Sequence, residues 1–311
     1  MKIKDKIKES NAYYIYYNWR WRERKIHNGS QYKDKTFYII RRHANRAGLF
    51  SFVCTNLGSV YEACNKGYIP VIDMQNSKNP MIQDQQVGRV NAWELFFEQP
   101  YGFGLNDIRK ADSVILGNIH PPKEFPEYEM LSNPVELEKW NNIAKKYLIP
   151  RQDLLVKAQD YKASEIDGRK LLGVLCRGTD YVMSHPKDHP IQPPIEDIIA
   201  RCKEWMRKYG YDAIYLATED TNIYDTFKNE FPGKIYSYQQ QRIIAKAGQN
   251  INELTNHLYD PLTLYQEYFV SILILSKCDG LIAGATNGTY GALLLSSGFE
   301  HCYIYQLGRY E

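Results

Sequence analysis

Polar residues cluster directly after three stretches of the second half of the chain that read as buried strands. Residues 171–176, 213–217 and 280–283 are short apolar runs of the kind found in parallel sheets. The clusters that follow them are Arg177-Gly178-Thr179-Asp180, Thr218-Glu219-Asp220 and Thr286-Asn287-Gly288-Thr289. Because open α/β sheets bind ligands at the carboxyl ends of their strands, we expect the three clusters to line one site.

The residue types in these clusters suit a pyrophosphate. Arg177 supplies a permanent cation whose forked donors match phosphate oxygens. Residues 286–289 predict the start of a helix, and the unpaired first amides of a helix attract an anion. Each cluster also has a structural alternative: an ion pair between Arg177 and Asp180, a helix cap within 218–220, and turn glycines around Asn287.

Motifs of several common enzyme classes are absent from the sequence. There is no G-x-x-x-x-G-K-[ST] of a P-loop NTPase, no G-x-G-x-x-G after a strand, and no G-x-S-x-G of an α/β-hydrolase. Asp-x-Asp does not occur, and His185, His189 and His257 lack the spacing H-E-x-x-H. The sequence therefore predicts no metal site.

The elements that must position these clusters alternate between strand and helix. Apolar runs predict strands over 37–40, 68–73, 113–116, 171–176, 213–217, 235–238, 280–283 and 302–305, and helical periodicity predicts helices over 49–66, 195–209, 224–231, 262–277 and 289–297. This alternation is typical of an α/β fold with parallel sheets covered by helices. Residues 74–110 are less regular and predict a functional loop.

A polar segment at 161–170 separates two periodic regions and predicts a domain boundary. We expect an N-terminal α/β domain over 1–165 and a Rossmann-like domain over 166–311. Two such domains would face each other across a cleft.

Composition narrows the class of protein further. The 311 residues are 44% hydrophobic and 24% charged, as in ordinary globular proteins. No apolar run approaches the roughly 20 residues of a transmembrane helix, and the charged N-terminus does not resemble a secretory signal. Six scattered cysteines without a C-x-x-C pair predict a reducing, cytoplasmic location. A pI near 8.3 is too low to indicate nucleic-acid binding.

The N-terminal segment is strongly basic and aromatic. Residues 1–46 hold 13 Lys and Arg against 4 Asp and Glu, a net charge of +9 that leaves −6 for the remainder. Tyrosines, tryptophans and arginines alternate over 13–22. One interpretation is a surface that associates weakly with anionic lipid at the inner face of a membrane, or with nucleic acid. The other is an amphipathic helix that docks its aromatic side chains on the core and leaves its arginines in solvent.

Three segments resemble motifs of a known glycosyltransferase superfamily. Residues 172–182, LGVLCRGTDYV, resemble the first motif of the α1,6-fucosyltransferase, nodulation fucosyltransferase and protein O-fucosyltransferase superfamily, written roughly H-x-R-R-T-D or H-x-R-x-G-D-Y. Residues 215–220, YLATED, resemble the second motif, and 275–288, LSKCDGLIAGATNG, the third. The resemblance covers about 170–311 well and 36–75 loosely, and extends to relatives in bacterial surface-polysaccharide clusters.

This resemblance implies a two-domain GT-B fold and an inverting, metal-independent transfer. It also implies that residues 166–311 bind a nucleotide sugar, with GDP-fucose as donor, and that residues 1–165 form the acceptor side of the cleft. Arg177 would bind the β-phosphate, Thr286 and Asn287 would line the phosphate end, and the Tyr236-Ser237 strand end would lie near the guanine or ribose. The sequence departs from the motif at Leu175, where the family has histidine, and at Gly178, where it has a second arginine. Some relatives carry a proposed catalytic carboxylate at the position of His185.

The sequence therefore predicts a fucosyltransferase-like glycosyltransferase that acts on a glycan or lipid-linked glycan of surface-polysaccharide biosynthesis. His185, Glu219 or Asp220 could serve as the base. There are two alternatives. The enzyme could use another nucleotide sugar as donor, or the chain could be a non-catalytic protein that binds a nucleotide or a glycan. The predicted site comprises Arg177, Asp180 and His185 for catalysis and Arg177, Gly178, Thr218, Glu219, Asp220, Tyr236, Ser237, Thr286, Asn287 and Gly288 for the donor.

Overall fold

The structure, a computed structural model, describes residues 11–178, 185, 187–238, 241–242 and 260–311. Its strands are β1 Arg24–Ile26, β2 Gln31–Arg41, β3 Ile69–Asp73, β4 Ala111–Leu116, β5 Leu171–Leu175, β6 Ala213–Ala217, β7 Ile235–Tyr236, β8 Gly280–Gly284 and β9 His301–Tyr305. Its α-helices are α1 Asn11–Arg20, α2 Leu49–Asn65, α3 Leu105–Ile108, α4 Pro134–Tyr147, α5 Gln152–Glu165, α6 Ile195–Tyr209, α7 Thr221–Glu230, α8 Pro261–Leu275 and α9 Asn287–Leu295.

The first sheet has the strand order β1-β4-β2-β3. β2 lies in its centre and pairs in parallel with β3 and β4, whereas β1 pairs antiparallel to β4. Residues 37–40 of β2 are buried, as its apolar run predicts, but the strand begins six residues earlier in a polar stretch. This extension is held by the pairing of Gln31 with Ala111 and by half-buried Tyr32, whose ring packs against Phe37 and Phe103.

The second sheet is parallel throughout and has the order β7-β6-β5-β8-β9. The chain starts in the middle at β5, adds β6 and β7 on one side, and then crosses over to add β8 and β9 on the other. This is the doubly wound arrangement of a Rossmann-like sheet, with its switch point between β5 and β8.

Helices cover both faces of the second sheet. Leu171 and Leu175 of β5 face one buried cluster, which also contains apolar residues of α2, α8 and α9. Leu172 and Val174 face a second cluster built with α6 and α7. This alternation is the two-residue period of a strand whose two faces are both buried. The first cluster joins the two sheets, because α2 follows the first sheet's β2 while α8 and α9 flank β8.

Two helices in the connection between the sheets were absent from the sequence prediction. Helix α4 begins after Asn133, whose side chain accepts hydrogen bonds from Val135 N and Glu136 N, and Pro134 occupies its first turn. Helix α5 extends to Glu165 and therefore contains the first half of the polar segment predicted as a boundary. Tyr161 holds this end of α5, with its ring 5.3 Å from that of Tyr238.

The N-terminal segment forms a helix, but its aromatic residues do not dock on the core as one interpretation expected. Tyr14, Tyr16 and Trp19 are 65%, 55% and 58% exposed. Adjacent helical residues are about 100° apart, so consecutive aromatic residues cannot all face one way. Tyr13, Tyr17 and Trp21 are half-buried. Tyr17 and Trp21 contact His43, and Tyr13 stacks on Tyr17.

Candidate functional site

Two of the predicted clusters lie on either side of the switch point of the second sheet. Arg177 and Gly178 follow β5, and Thr286 and Asn287 follow β8. The register pairs Leu175 with Ala283, so the chain leaves both strands at the same level. The crevice outside a switch point is where open α/β sheets bind ligands, so the structure brings these clusters to the expected place.

Arg177 forms an ion pair with Glu219 at this edge. Its Nε lies 3.3 Å from Glu219 Oε1, and the two side chains are 26% and 19% exposed. The same oxygen accepts a hydrogen bond of 3.1 Å from Gly178 N. The charge of Arg177 also acts on buried Tyr265, where it opposes the rise in pKa that burial causes. The sequence suggested a pair with Asp180, which lies outside the described residues.

Asp220 caps helix α7. Its Oδ1 accepts hydrogen bonds from Asn222 N and Ile223 N at 2.8 and 3.1 Å, and the residue is 2% exposed. Thr218, also buried, accepts from Asp220 N through its hydroxyl. This is the capping role that the sequence analysis kept as an alternative for the 218–220 cluster.

Close packing against Asp220 explains why residue 178 is glycine. A Cβ at this position would lie 2.5 Å from Asp220 Cβ and 2.6 Å from its Oδ2. No arginine side chain can begin from that position without displacing the cap. The departure of Gly178 from the superfamily motif therefore has a steric cause within this chain.

The third cluster opens helix α9 as expected. Thr286 is its N-cap, and its hydroxyl accepts from Thr289 N at 3.2 Å. Asn287 is exposed at the first turn, whereas Gly288 is buried. Buried Gln192 holds the preceding turn by donating to Ala285 O at 3.1 Å. The first turn of α9, which is exposed at Asn287, carries the partial positive charge of a helix N-terminus.

A cavity of about 140 Å³ lies against this helix terminus. Thr286 and Asn287 line it together with Glu127, Tyr128 and Arg309. Arg309 donates to Glu129 Oε1 and to Asp188 O at 3.3 and 3.4 Å. Burial and the charge of Glu129 raise the pKa of Glu127, and Arg309 partly offsets this rise. Arg309 thus places its guanidinium near the N-terminus of α9.

A further arginine lies at the end of β7, where the nucleoside was expected. Arg242 Nη2 donates to Ser237 Oγ at 2.6 Å, and its guanidinium lies 3.7 Å from the centre of the Tyr224 ring. Burial lowers the pKa of Arg242. Tyr236 receives a similar but longer contact of 5.3 Å from Arg169.

His185 is exposed and stacks on Tyr310, with 4.7 Å between the ring centres. Its backbone has a φ of 40°, in the left-handed region that non-glycine residues seldom adopt. This contact ties His185 to the C-terminal tail. Its predicted catalytic role, like that of Asp180, stays a prediction.

Residues that the sequence analysis did not single out complete this edge. Gln192, Arg242 and Arg309 lie outside the three motifs, and each reaches the site from a different loop. A basic residue near the C-terminus or in a loop carries no local signal of its role. Only the packing of distant segments brings these side chains to the strand ends.

Within the described part of the chain, no group of three or more His, Cys, Asp and Glu is arranged to hold a metal ion. The same residues contain no helix long and apolar enough to cross a membrane. All six cysteines are free thiols.

Comparison with known proteins defines the fold. No family model matches the chain, and no curated protein does. Among solved structures, the apo form of POFUT1 matches with a TM-score of 0.52 at 9% identity, over 89% of this chain and 99% of that one. The fucosyltransferase NodZ from Bradyrhizobium matches with a TM-score of 0.48 at 15% identity, over 84% and 93%.

The likeness to POFUT1 confirms the predicted fold class: the chain has a GT-B-like α/β fold with two sheets. This is also the fold of the superfamily whose motifs the sequence resembles. At these identities the comparisons establish the fold, and the activity has to be argued from the site.

Proposed function

We propose that this chain is a fucosyltransferase-like glycosyltransferase. The observation that carries the proposal is that Arg177 follows β5 and the N-terminus of α9 follows β8, on the two sides of the switch point of a Rossmann-like sheet. Such an edge suits the diphosphate of a nucleotide sugar. In this proposal residues 166–311 bind the donor, and residues 1–165 form the acceptor side.

The transfer would be a direct displacement with inversion at the anomeric carbon. An acceptor hydroxyl attacks that carbon and gives up its proton to a base, while the bond to the nucleoside diphosphate breaks. Arg177 and the first amides of α9 would stabilise the negative charge that develops on the leaving diphosphate. For this, Arg177 has to share its guanidinium between the ligand and Glu219. His185 and Asp180 are the proposed catalytic partners.

Two observations support proposing GDP-fucose as the first donor to test. The three motifs resemble a superfamily that uses this donor, and POFUT1, whose fold this chain shares, has been crystallised with GDP-fucose. Tyr236, Ser237 and Arg242 would lie near the nucleoside. Gly178 favours a second candidate, a different nucleotide sugar, because the arginine that would bind phosphate at this position is sterically excluded.

We further propose that the reaction needs no metal ion. Arg177, Arg309 and the N-terminus of α9 can supply the positive charge that a metal cation otherwise provides. We also propose a cytoplasmic enzyme of surface-polysaccharide biosynthesis that acts on a glycan or lipid-linked glycan. The free cysteines accord with a reducing compartment.

Helix α1 supports weak association with the inner surface of a membrane. Ile15, Tyr16 and Trp19 are exposed on adjacent helical positions, and the Arg22 guanidinium lies 4.7 Å from the Trp19 ring. Aromatic and basic side chains side by side suit the headgroup region of an anionic bilayer. An enzyme held there would meet a lipid-linked acceptor in two dimensions.

Isothermal titration with GDP, UDP and CMP, followed by a donor-hydrolysis screen over nucleotide sugars, tests the proposal. We expect GDP to bind most tightly and GDP-fucose to be hydrolysed, with activity that survives EDTA. Preference for UDP or CMP would select the second donor candidate. Nucleotide binding without turnover of any donor and acceptor would indicate a non-catalytic binding protein.

A further inference from the structure

A second and larger cavity, of about 750 Å³, lies at the carboxyl edge of the first sheet. The segment after β2 contributes His43 and Arg46, the segment after β3 contributes Asn76 and Lys78, and Tyr17 and Trp21 close it from the N-terminal side. This volume lies within the range of pockets that bind small molecules. We call it the first-sheet pocket.

The first-sheet pocket is connected to the proposed donor site by packing. The segment that carries His43 and Arg46 continues into α2, whose Phe50 is buried against Gly291 of α9. Helix α9 is the element whose first turn lies in the donor site. The pocket and the donor site therefore lie on the carboxyl edges of two sheets, and the contact between α2 and α9 is one of those that join them.

Two cationic side chains line this pocket. Arg46 and Lys78 are among its lining residues, and among the described residues that line it there is no Asp or Glu. Lys78 pairs with Asp84, so its charge is partly offset. Asp73, at the end of β3, turns its Oδ1 back to accept from Gln75 N and Asn76 N, both at 3.0 Å. A carboxylate, sulfate or phosphate entering the pocket would meet cations and amides.

Trp21 gives the pocket an aromatic wall that is held in place. Its ring packs edge-on against His43 with 4.4 Å between centres, and the guanidinium of Arg41 lies 5.4 Å from it. His43 accepts or donates a 2.8 Å hydrogen bond with Tyr17 OH. Burial and the nearby Arg41 lower the pKa of His43, which favours a neutral ring at pH 7. A fixed aromatic ring beside amide groups suits the apolar face and hydroxyls of a pyranose.

We propose that the first-sheet pocket binds an acidic sugar residue, with its ring against Trp21 and its anionic group at Arg46 and Lys78. If the proposed glycosyltransferase function holds, this residue belongs to the acceptor glycan, and the enzyme acts on an anionic polysaccharide. Binding of the sugar does not depend on the donor, so it can be measured in the absence of nucleotide.

The test compares matched probes on the full chain. Trigalacturonic acid is titrated against its methyl ester, which removes the charge, and glucose 6-phosphate and glucose 6-sulfate are titrated against glucose and inorganic phosphate. The variant Arg46→Gln/Lys78→Gln is compared with Lys203→Gln/Arg207→Gln, an equal loss of charge on exposed α6. The variant Trp21→Ala is titrated with the same sugars. GDP binding is measured for the wild type and for every variant.

We expect trigalacturonic acid to bind about tenfold more tightly than its ester, and Arg46→Gln/Lys78→Gln to abolish that difference while the α6 control keeps it. Trp21→Ala should weaken the acid and the ester alike. GDP binding should be unchanged in the pocket variants, so a failure of the donor site would be recognised separately. Preference for the sugar phosphate or sulfate over the carboxylate would identify which anion the pocket takes and would support the proposal.

Three results would overturn it. The acid and its ester could bind equally, inorganic phosphate could bind as tightly as glucose 6-phosphate, or the α6 control could lose as much affinity as the pocket variant. The first result would show that the chain does not recognise the charge of the ligand. The second would show that it does not recognise the sugar, and the third that the anion does not bind in the first-sheet pocket.

Discussion

Arg177 has a carboxylate partner in this structure, and that partner determines how it can serve a ligand. Glu219 Oε1 accepts a hydrogen bond from Gly178 N and lies 3.3 Å from Arg177 Nε, so the ion pair draws the guanidinium toward Glu219. A diphosphate would add to this arrangement through the remaining N–H donors of the fork. Glu219 is therefore a positioning residue for Arg177 in the proposed site, at the cost of some electrostatic repulsion toward the phosphates.

We predict that Arg177→Ala weakens GDP binding by about tenfold to a hundredfold, because a charge-assisted hydrogen bond contributes about 1.5–3 kcal/mol. Transfer should be lost, and Arg177→Lys should rescue little because an ammonium lacks the fork. Isothermal titration checks this, with Arg207→Ala on the exposed face of α6 as the matched control. GDP affinity equal to that of the wild type in Arg177→Ala would remove Arg177 from the donor site.

At the scale of single elements, helix α7 depends on a buried cap that lies within the site. Asp220 satisfies two amides of its first turn, and its Cβ and carboxylate fill the space beside Gly178. The polar residues at this strand end therefore serve the local structure first. Asp220 Oδ1 is already used by the cap, so a ligand in the proposed site has to bind through other groups.

We predict that Asp220→Ala lowers the free energy of unfolding by about 0.5–2 kcal/mol, while Asp220→Asn, which keeps a side-chain oxygen acceptor, stays close to the wild type. Chemical denaturation measures both. Asp260→Ala, which removes the exposed cap of α8, gives the effect of a cap outside the site for comparison. Equal loss in the Asn and Ala variants would show that the charge of Asp220, rather than its capping bond, stabilises the fold.

Helix α1 has two faces with different contacts, one toward His43 and one toward solvent. We predict that the chain binds vesicles of phosphatidylglycerol and not of phosphatidylcholine, and that high salt releases it, because each basic residue near an anionic surface contributes about 1 kcal/mol. The variant Tyr16→Ser/Trp19→Ser should lose the binding. Co-sedimentation measures it, and equal recovery with both vesicle types would leave α1 as a structural helix only.

For the whole molecule, the two sheets are joined by a buried contact rather than by a linker alone. Phe50 of α2 is 1% exposed and packs so closely on α9 that a Cβ at Gly291 would lie 2.2 Å from its ring. The rings of Tyr268 and Phe269 on α8 lie 5.6 and 6.1 Å from it. A contact of this kind couples the stability of the two halves.

We predict that the wild-type chain unfolds in one calorimetric transition, and that Phe50→Ala destabilises it by about 3–5 kcal/mol. Hydrogen exchange should then accelerate in both β2 and β5, since one side chain supports both sheets. Two resolved transitions in the wild type, or faster exchange confined to the first sheet, would contradict this coupling.

Local pattern alone was enough to predict most of the second half. Apolar runs of strand length, amphipathic helices and the polar residues after β5, β6 and β8 follow from nearest neighbours in the chain, and the resemblance to known motifs covers the same region. Helix α4 shows the limit of a prediction based on apolar periodicity. Its apolar residues do not predict a helix, whereas the capping residue Asn133 and the first-turn proline Pro134 are local signals for one.

What the tertiary structure decided involves residues far apart in sequence. The order of the strands, and hence the switch point between β5 and β8, depends on which strands pair across the chain. Glu219, which forms an ion pair with Arg177, is 42 positions away, and Arg309 reaches the N-terminus of α9 from the C-terminal tail. Periodicity and capping act within a few residues, whereas these contacts form only once the helices have packed on the sheets, so the sequence pattern could predict the strand ends but not which charges would meet there.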